Sequence, residues 1–408
     1  MRKLLYNSLI LFSLSFFWLS AAVDAYSGEE EMSSLAMQGR PLFLHYCAAC
    51  HGVTGDGDGY NAEQLEKEPA ELSNEKFIGK KKDSQIYRVI KFGGLGVKKS
   101  HLMPVFGHTL SEEEIWSLVA YVRYLAEDDD HPVTVPADVS KTRPASLPLA
   151  HDSVESFSEW FLKNGTDSTL ISKGEKLFRK KKSCYACHQL DDEGGVVGPD
   201  LSRAGFYYTP EWIFRWIGNP QKVKPESRMP NLGLNNEECR AITAFLVSLQ
   251  EPEFNKKWQG YLDSPGDAVQ GEKIFFDAEG KANCGKCHAV NDRGGKVGPP
   301  LSFVGTSRTK AFLLESILKP KAVITSGYSS VLILTKKGKF ITGIKLNEDD
   351  SSVDLIDKEG TSLHILKNDI KRFKTQKISI MPGNFKDILT EEEIRHLLAY
   401  LATLKIQN

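Results

Sequence analysis

The chain has 408 residues, with 52 Lys plus Arg against 53 Asp plus Glu, a formal net charge of -1, and 41% hydrophobic residues. This balance lacks the basic excess of a nucleic-acid-binding surface, so no nucleic-acid partner is expected. The length allows two to four domains.

The chain opens on an export leader. Arg2 and Lys3 precede an apolar run from Leu4 to about Val23, and Val23-Asp24-Ala25 offers small residues for cleavage after Ala25. Residues 1–25 are therefore read as a signal peptide, which implies a periplasmic or otherwise extracytoplasmic location. An uncleaved anchor is the alternative, because the run is nearly long enough to span a bilayer; Asn7 and several serines weaken it. No second apolar stretch approaches that length. Membrane association is expected only through a retained leader or a complex.

Three similar units follow: residues 26–130, 153–255 and 256–408. Each opens with Gly and a Phe four positions on: Gly39 and Phe43, Gly174 and Phe178, Gly271 and Phe275. Each then carries Cys-x-x-Cys-His: Cys47, Cys50 and His51; Cys184, Cys187 and His188; Cys284, Cys287 and His288. A Met-Pro pair comes next in each: Met103-Pro104, Met229-Pro230 and Met381-Pro382. Each unit closes on a helix starting at Ser111, Asn235 or Thr390, with an aromatic on its far side: Tyr121, Phe245 or Tyr400. Ser111 and Thr390, each with a Glu three residues on, predict capping boxes. The Gly and the aromatics predict that the first and last helices of each unit cross and pack.

Units one and two are joined by a proline-rich linker, 131–152, containing Pro132, Pro136, Pro144 and Pro148, a semi-extended composition. The glycine loop Gly55-Asp56-Gly57-Asp58-Gly59 has too few acidic groups for a calcium loop. Units two and three align at a constant offset of 100 positions from Cys184/Cys284 to Val223/Val323, but Met229 and Met381 lie 152 apart. The third unit thus carries about fifty extra residues, an insert at about 324–376. Its segments 328–335, 340–346, 353–357, 361–367 and 370–374 read as strands separated by turns such as Lys336-Lys337-Gly338-Lys339, so a small antiparallel barrel is expected.

Cys-x-x-Cys-His is the attachment signature of c-type haem. Two cysteines three positions apart lie on one face of a helical turn, where their sulfurs reach the two vinyl groups of one porphyrin. The following His is aimed at the iron. Six of the seven cysteines sit in these motifs, so three covalent haems are expected. Zinc is the competing chemistry, since a Cys-x-x-Cys pair is half of a zinc site. Disulfides are a second alternative in an exported chain. The seventh cysteine, Cys239, stands where the other closing helices carry Ile115 and Ile394, and is read as a small buried hydrophobe.

In combination these features resemble the class I cytochrome c family, over nearly all of the chain after the leader. The resemblance implies a mainly α fold: three tandem cytochrome c-like helical haem domains, the third with a small antiparallel β-barrel-like insert. The third unit resembles the planctomycete-type haem-binding domain over about 266–406. The family places a methionine opposite the proximal histidine, so the resemblance pairs Met103 with His51, Met229 with His188 and Met381 with His288. His101 and His108 flank Met103 and compete with it. The family also implies that a proline carbonyl orients each proximal ring: Pro199 in Gly198-Pro199, Pro299 in Gly298-Pro299, and Pro69 near Leu72 in the first unit.

The expected function is electron transfer between extracytoplasmic redox partners, a donor and an acceptor protein, by a three-haem carrier with no catalytic residues. The alternative is the cytochrome subunit of a periplasmic dehydrogenase or respiratory complex. A haem enzyme such as a peroxidase or nitrite reductase is less favoured, because it needs an open iron position and each unit has its own Met-Pro. A binding module rests on the insert alone.

Overall fold

Three crossed helix pairs organise the chain in the computed structural model, which describes residues 32–128, 132–144 and 154–406. The expected leader and the end of the linker lie outside these residues. Helix α1 (Ser34–Tyr46) crosses α3 (Glu112–Leu125), α4 (Ser168–Lys180) crosses α6 (Asn236–Ser248), and α7 (Ala268–Phe276) crosses α9 (Glu391–Thr403). Glycine permits each crossing. A methyl at Gly39, Gly174 or Gly271 would press into the backbone carbonyl of Ser117, Ala241 or His396 on the facing helix. Beside that contact the expected aromatics meet, with ring centroids 5.2 Å apart for Phe43 and Tyr121, 5.7 Å for Phe178 and Phe245, and 5.6 Å for Phe275 and Tyr400.

The closing helices start where the sequence places them. Ser111 and Glu114 exchange backbone and side-chain hydrogen bonds at 3.1 and 2.8 Å, and Thr390 and Glu393 do so at 3.1 and 2.7 Å. Asn235 and Glu238 form the same box, with an amide oxygen replacing the hydroxyl. Cys239 is 0% exposed inside the second core, and burial pushes its thiol up to about 12.

A further helix lies between motif and methionine in each unit: α2 (Asp83–Gly96), α5 (Pro210–Gly218) and α8 (Lys310–Leu318). Units two and three meet just before α5 and α8 in a reciprocal pairing. Thr209 N–H donates to Ser307 O at 3.2 Å and Thr309 N–H to Tyr207 O at 3.4 Å. The Thr209 hydroxyl donates to Thr306 O and the Thr309 hydroxyl to Phe206 O. Residues 100 apart exchange roles, so the interface is isologous within one chain. The described linker, 132–144, lies on unit one: Val133, Val135 and Val139 pack on its core, and Arg143 binds Glu114 at 2.7 Å.

The insert forms five strands: β1 (Ser330–Thr335), β2 (Phe340–Glu348), β3 (Ser352–Ile356), β4 (Ser362–Leu366) and β5 (Ile370–Thr375). Their order is β4-β3-β2-β1-β5, all antiparallel. The expected barrel does not close. A three-residue 3₁₀ turn, Lys367–Asp369, carries the chain from β4 to β5 at the opposite edge, yet those two strands share no ladder. Irregularities at Leu334/Thr335 and Lys345/Asn347 bend β1 and β2. The result is a curled open sheet over a small core of Val331, Ile333, Val353, Leu355 and Ile365. Among the described residues no helix is long and apolar enough to cross a membrane.

Candidate functional site

Each Cys-x-x-Cys-His motif folds as one tight turn after the opening helix. In unit one it is α-helical, Ala48–His51; in units two and three the cysteines sit on 3₁₀ turns, Cys184–Ala186 and Cys284–Lys286. The preceding Ser183 and Asn283 take left-handed backbone, at φ 59° and 39°. The outcome is the same in all three. The histidine N–H donates to the first cysteine's carbonyl at 3.0 Å, so each histidine follows its first cysteine by one turn.

The three rings share a second constraint. Nδ1 of His188 lies 2.8 Å from Pro199 O, and Nδ1 of His288 lies 2.8 Å from Pro299 O. In unit one the partner of His51 Nδ1 is Ala70 O at 3.0 Å, one residue beyond the expected Pro69. The longer glycine loop shifts the register there. A carbonyl only accepts, so Nδ1 carries the proton and Nε2 keeps its lone pair for a metal. Burial lowers the pKa of all three rings, which favours the neutral form. Gly198 and Gly298 lie directly over the rings: a methyl would sit 2.5 Å from His188 Nδ1 and 2.7 Å from His288 Nδ1.

The cysteines are unpaired thiols, so no disulfide competes. Burial raises all six, with Cys47, Cys184 and Cys187 pushed up to about 12 and Cys284 to about 11. Among the described residues no group of three or more His, Cys, Asp or Glu is placed to hold a metal ion, whereas a closed zinc site needs four ligands. Two thiols and one oriented neutral imidazole per turn fit a c-type haem.

Each methionine packs on the same core as its motif: Met103 with Cys47, Met229 with Cys184, Met381 with Cys284. The loops that carry them are tied locally. Met229 N–H donates to Ser227 Oγ at 3.1 Å and Met381 N–H to Ser379 Oγ at 3.2 Å, while Met103 O accepts from Gly94 N–H at 3.0 Å. The Trp216 indole N–H donates to Met229 Sδ at 3.0 Å. The competing histidines also have contacts of their own. The His108 ring lies against Gly233 of unit two, and the His101 ring lies 3.7 Å from Glu66. Met103 also lines a cavity of about 290 Å³ at the junction of units one and two, together with His108 and Lys182.

Two residues at these sites carry no repeat signal. Trp216 aligns with Ser316, and Asn61 of unit one aligns with a valine in the other units. Asn61 is nonetheless fully buried, between Cys50 and the second unit.

Two family models match the chain. That described as "Cytochrome C oxidase, cbb3-type, subunit III" matches residues 34–122. That described as "Cytochrome c" matches residues 171–250 and 268–405, together more than half of the chain. Among solved structures, a chain of the Kuenenia stuttgartiensis reducing HAO-like protein complex is 19% identical, over 52% of this chain and 96% of that one, at a TM-score of 0.19, too low to show a shared arrangement.

Proposed function

The chain belongs to the cytochrome c family, and from that we propose that it is a three-haem electron carrier. Bound haem supplies a one-electron iron couple. The three cysteine pairs would anchor it, His51, His188 and His288 would be the proximal ligands, and Met103, Met229 and Met381 the distal ones. The observation that carries this is threefold: in every unit the ring Nδ1 is committed to a backbone carbonyl and Nε2 is left for a metal. His/Met ligation raises the potential. A distal methionine in each unit leaves no open position for a substrate, so the role is transfer between donor and acceptor proteins rather than catalysis. Export by residues 1–25 would put the protein in the periplasm or another extracytoplasmic space, and the third unit would be of the planctomycete-type haem-binding kind.

A second role is favoured by one finding, the match of residues 34–122 to the family of cbb3-type cytochrome c oxidase subunit III: the same carrier as the cytochrome subunit of a respiratory complex or dehydrogenase. Purification under mild conditions from its own cells separates the two, as a lone chain or as part of a larger assembly.

The mass of the denatured protein tests the cofactor count. Three haems should remain attached; fewer, with zinc bound, overturns the proposal. Met229→Ala should remove about a third of the sulfur-to-iron absorption and lower one potential. An unchanged band and titration would show that Met229 is not a ligand.

A further inference from the structure

Units one and two are joined at their attachment turns, and one buried side chain bridges the two turns directly. Asn61 is 0% exposed. Its Nδ2 donates to Cys50 Sγ at 3.2 Å and to Ala186 O at 2.9 Å, and its Oδ1 accepts from Val196 N–H at 2.6 Å. Every polar atom of the amide is therefore used. One partner is the second attachment sulfur of unit one, and another lies within the Cys184-Tyr185-Ala186-Cys187 turn itself. Burial, and after it the charge of the nearby Cys50, raises the Cys187 thiol, so the second cysteines of the two turns lie near one another. Contacts around them are roughly reciprocal. Arg228, next to Met229, donates to His45 O of unit one at 2.9 Å, and Ser183, next to Cys184, donates to His101 O near Met103.

The third unit has the same face with a different occupant. The equivalence is fixed by the glycine two positions earlier. Gly59, Gly195 and Gly295 each lie on the carbonyl of the residue before the second cysteine, those of Ala49, Ala186 and Lys286. Asn61 thus corresponds to Val197 and Val297. Val297 is buried against Ile344 of β2 and Ile356 of β3, beside Cys287. The insert covers in unit three the face that units one and two press together.

We propose that Asn61 is a positioning residue that couples the first and second haem sites, setting their separation and the electronic state of the Cys50 sulfur, while the insert keeps the third site out of any such pair. The proposal rests on the three-haem function above. A hydrogen bond donated to a sulfur attached to the porphyrin withdraws electron density and favours the reduced state; its loss lowers the potential.

The test is Asn61→Val, which gives unit one the residue of units two and three. Intact mass counts the haems, hydrogen exchange follows the Val196 amide, and an optical redox titration with fast reduction kinetics follows the irons. Three haems are expected to remain, and the Val196 amide should exchange at least about tenfold faster. One potential should fall by about threefold in its equilibrium constant, or about 30 mV at 59 mV per tenfold, and transfer between the first two haems should slow. Asn61→Thr, of similar size with one donor, should shift the same potential less. Three haems and a deprotected Val196 with unchanged titration and transfer overturn the role of Asn61 and leave the carrier intact. Fewer than three haems in the parent protein overturn the carrier itself.

Discussion

Replacing Gly174 with Ala sets two effects of opposite sign against each other. In a helix interior the change favours folding by about 0.8–1.0 kcal/mol, because Ala is the better helix former. Gly174 lies in α4 where it crosses α6, and the new methyl would sit 2.6 Å from the Ala241 carbonyl carbon and 2.8 Å from Phe245 Cβ. Carbon atoms prefer roughly 3.5–4.0 Å, so the helices must separate by about 1 Å. Backbone faces the methyl, so no flexible side chain can yield. Overpacking of this kind costs about 1–3 kcal/mol. A gap of 0.5–1 Å also forfeits roughly a quarter to a half of each dispersion well at the contact, which includes the buried Phe178 and Phe245. The sum favours destabilisation by about 2 kcal/mol. That corresponds to a melting temperature lower by about 8–16 °C for a unit of this size. Calorimetry of the haem-loaded protein measures it, with Ser172→Ala, an exposed site on the same helix, as a control that should not lower the melting temperature. If Gly174→Ala melts at or above the parent, helix propensity outweighs the crossing and the close-approach argument is wrong, for Gly39 and Gly271 as well.

Two further expectations follow from burial. Cys239, fully buried with its thiol raised to about 12, should resist an alkylating reagent in the native protein and react once per chain in denaturant; rapid native labelling would place it at the surface. Joining Val323 to the segment before Met381 by a short linker, in place of the insert, should leave three haems attached, because Cys287 and His288 N–H both donate to Cys284 O within the turn itself. The uncovered Val297 face should then drive association, seen as a dimer by light scattering. A monomer would deny that the sheet is a cover, and loss of the third haem would make it part of the unit's fold.

The sequence by itself determined the repeated local chemistry. Cys-x-x-Cys-His, the Gly and Phe of each opening helix, and the capped start of each closing helix act within a few residues or at one helix crossing, so their spacing carries their meaning. The strands of the insert were legible for the same reason, through turn residues and β-rich runs. Closure was not legible: β4 and β5 follow one another in the chain yet stand at opposite edges of the sheet without pairing, which no local pattern of turns and β-rich runs reveals. The acceptor for His51 moved from Pro69 to Ala70 because loop register is set by the path of the whole glycine loop. Asn61 lay beyond any local pattern. Besides Cys50, its partners are 125 and 135 residues away, and the other units carry valine in its place, so the docking of one unit on the next is what satisfies the rest of that amide.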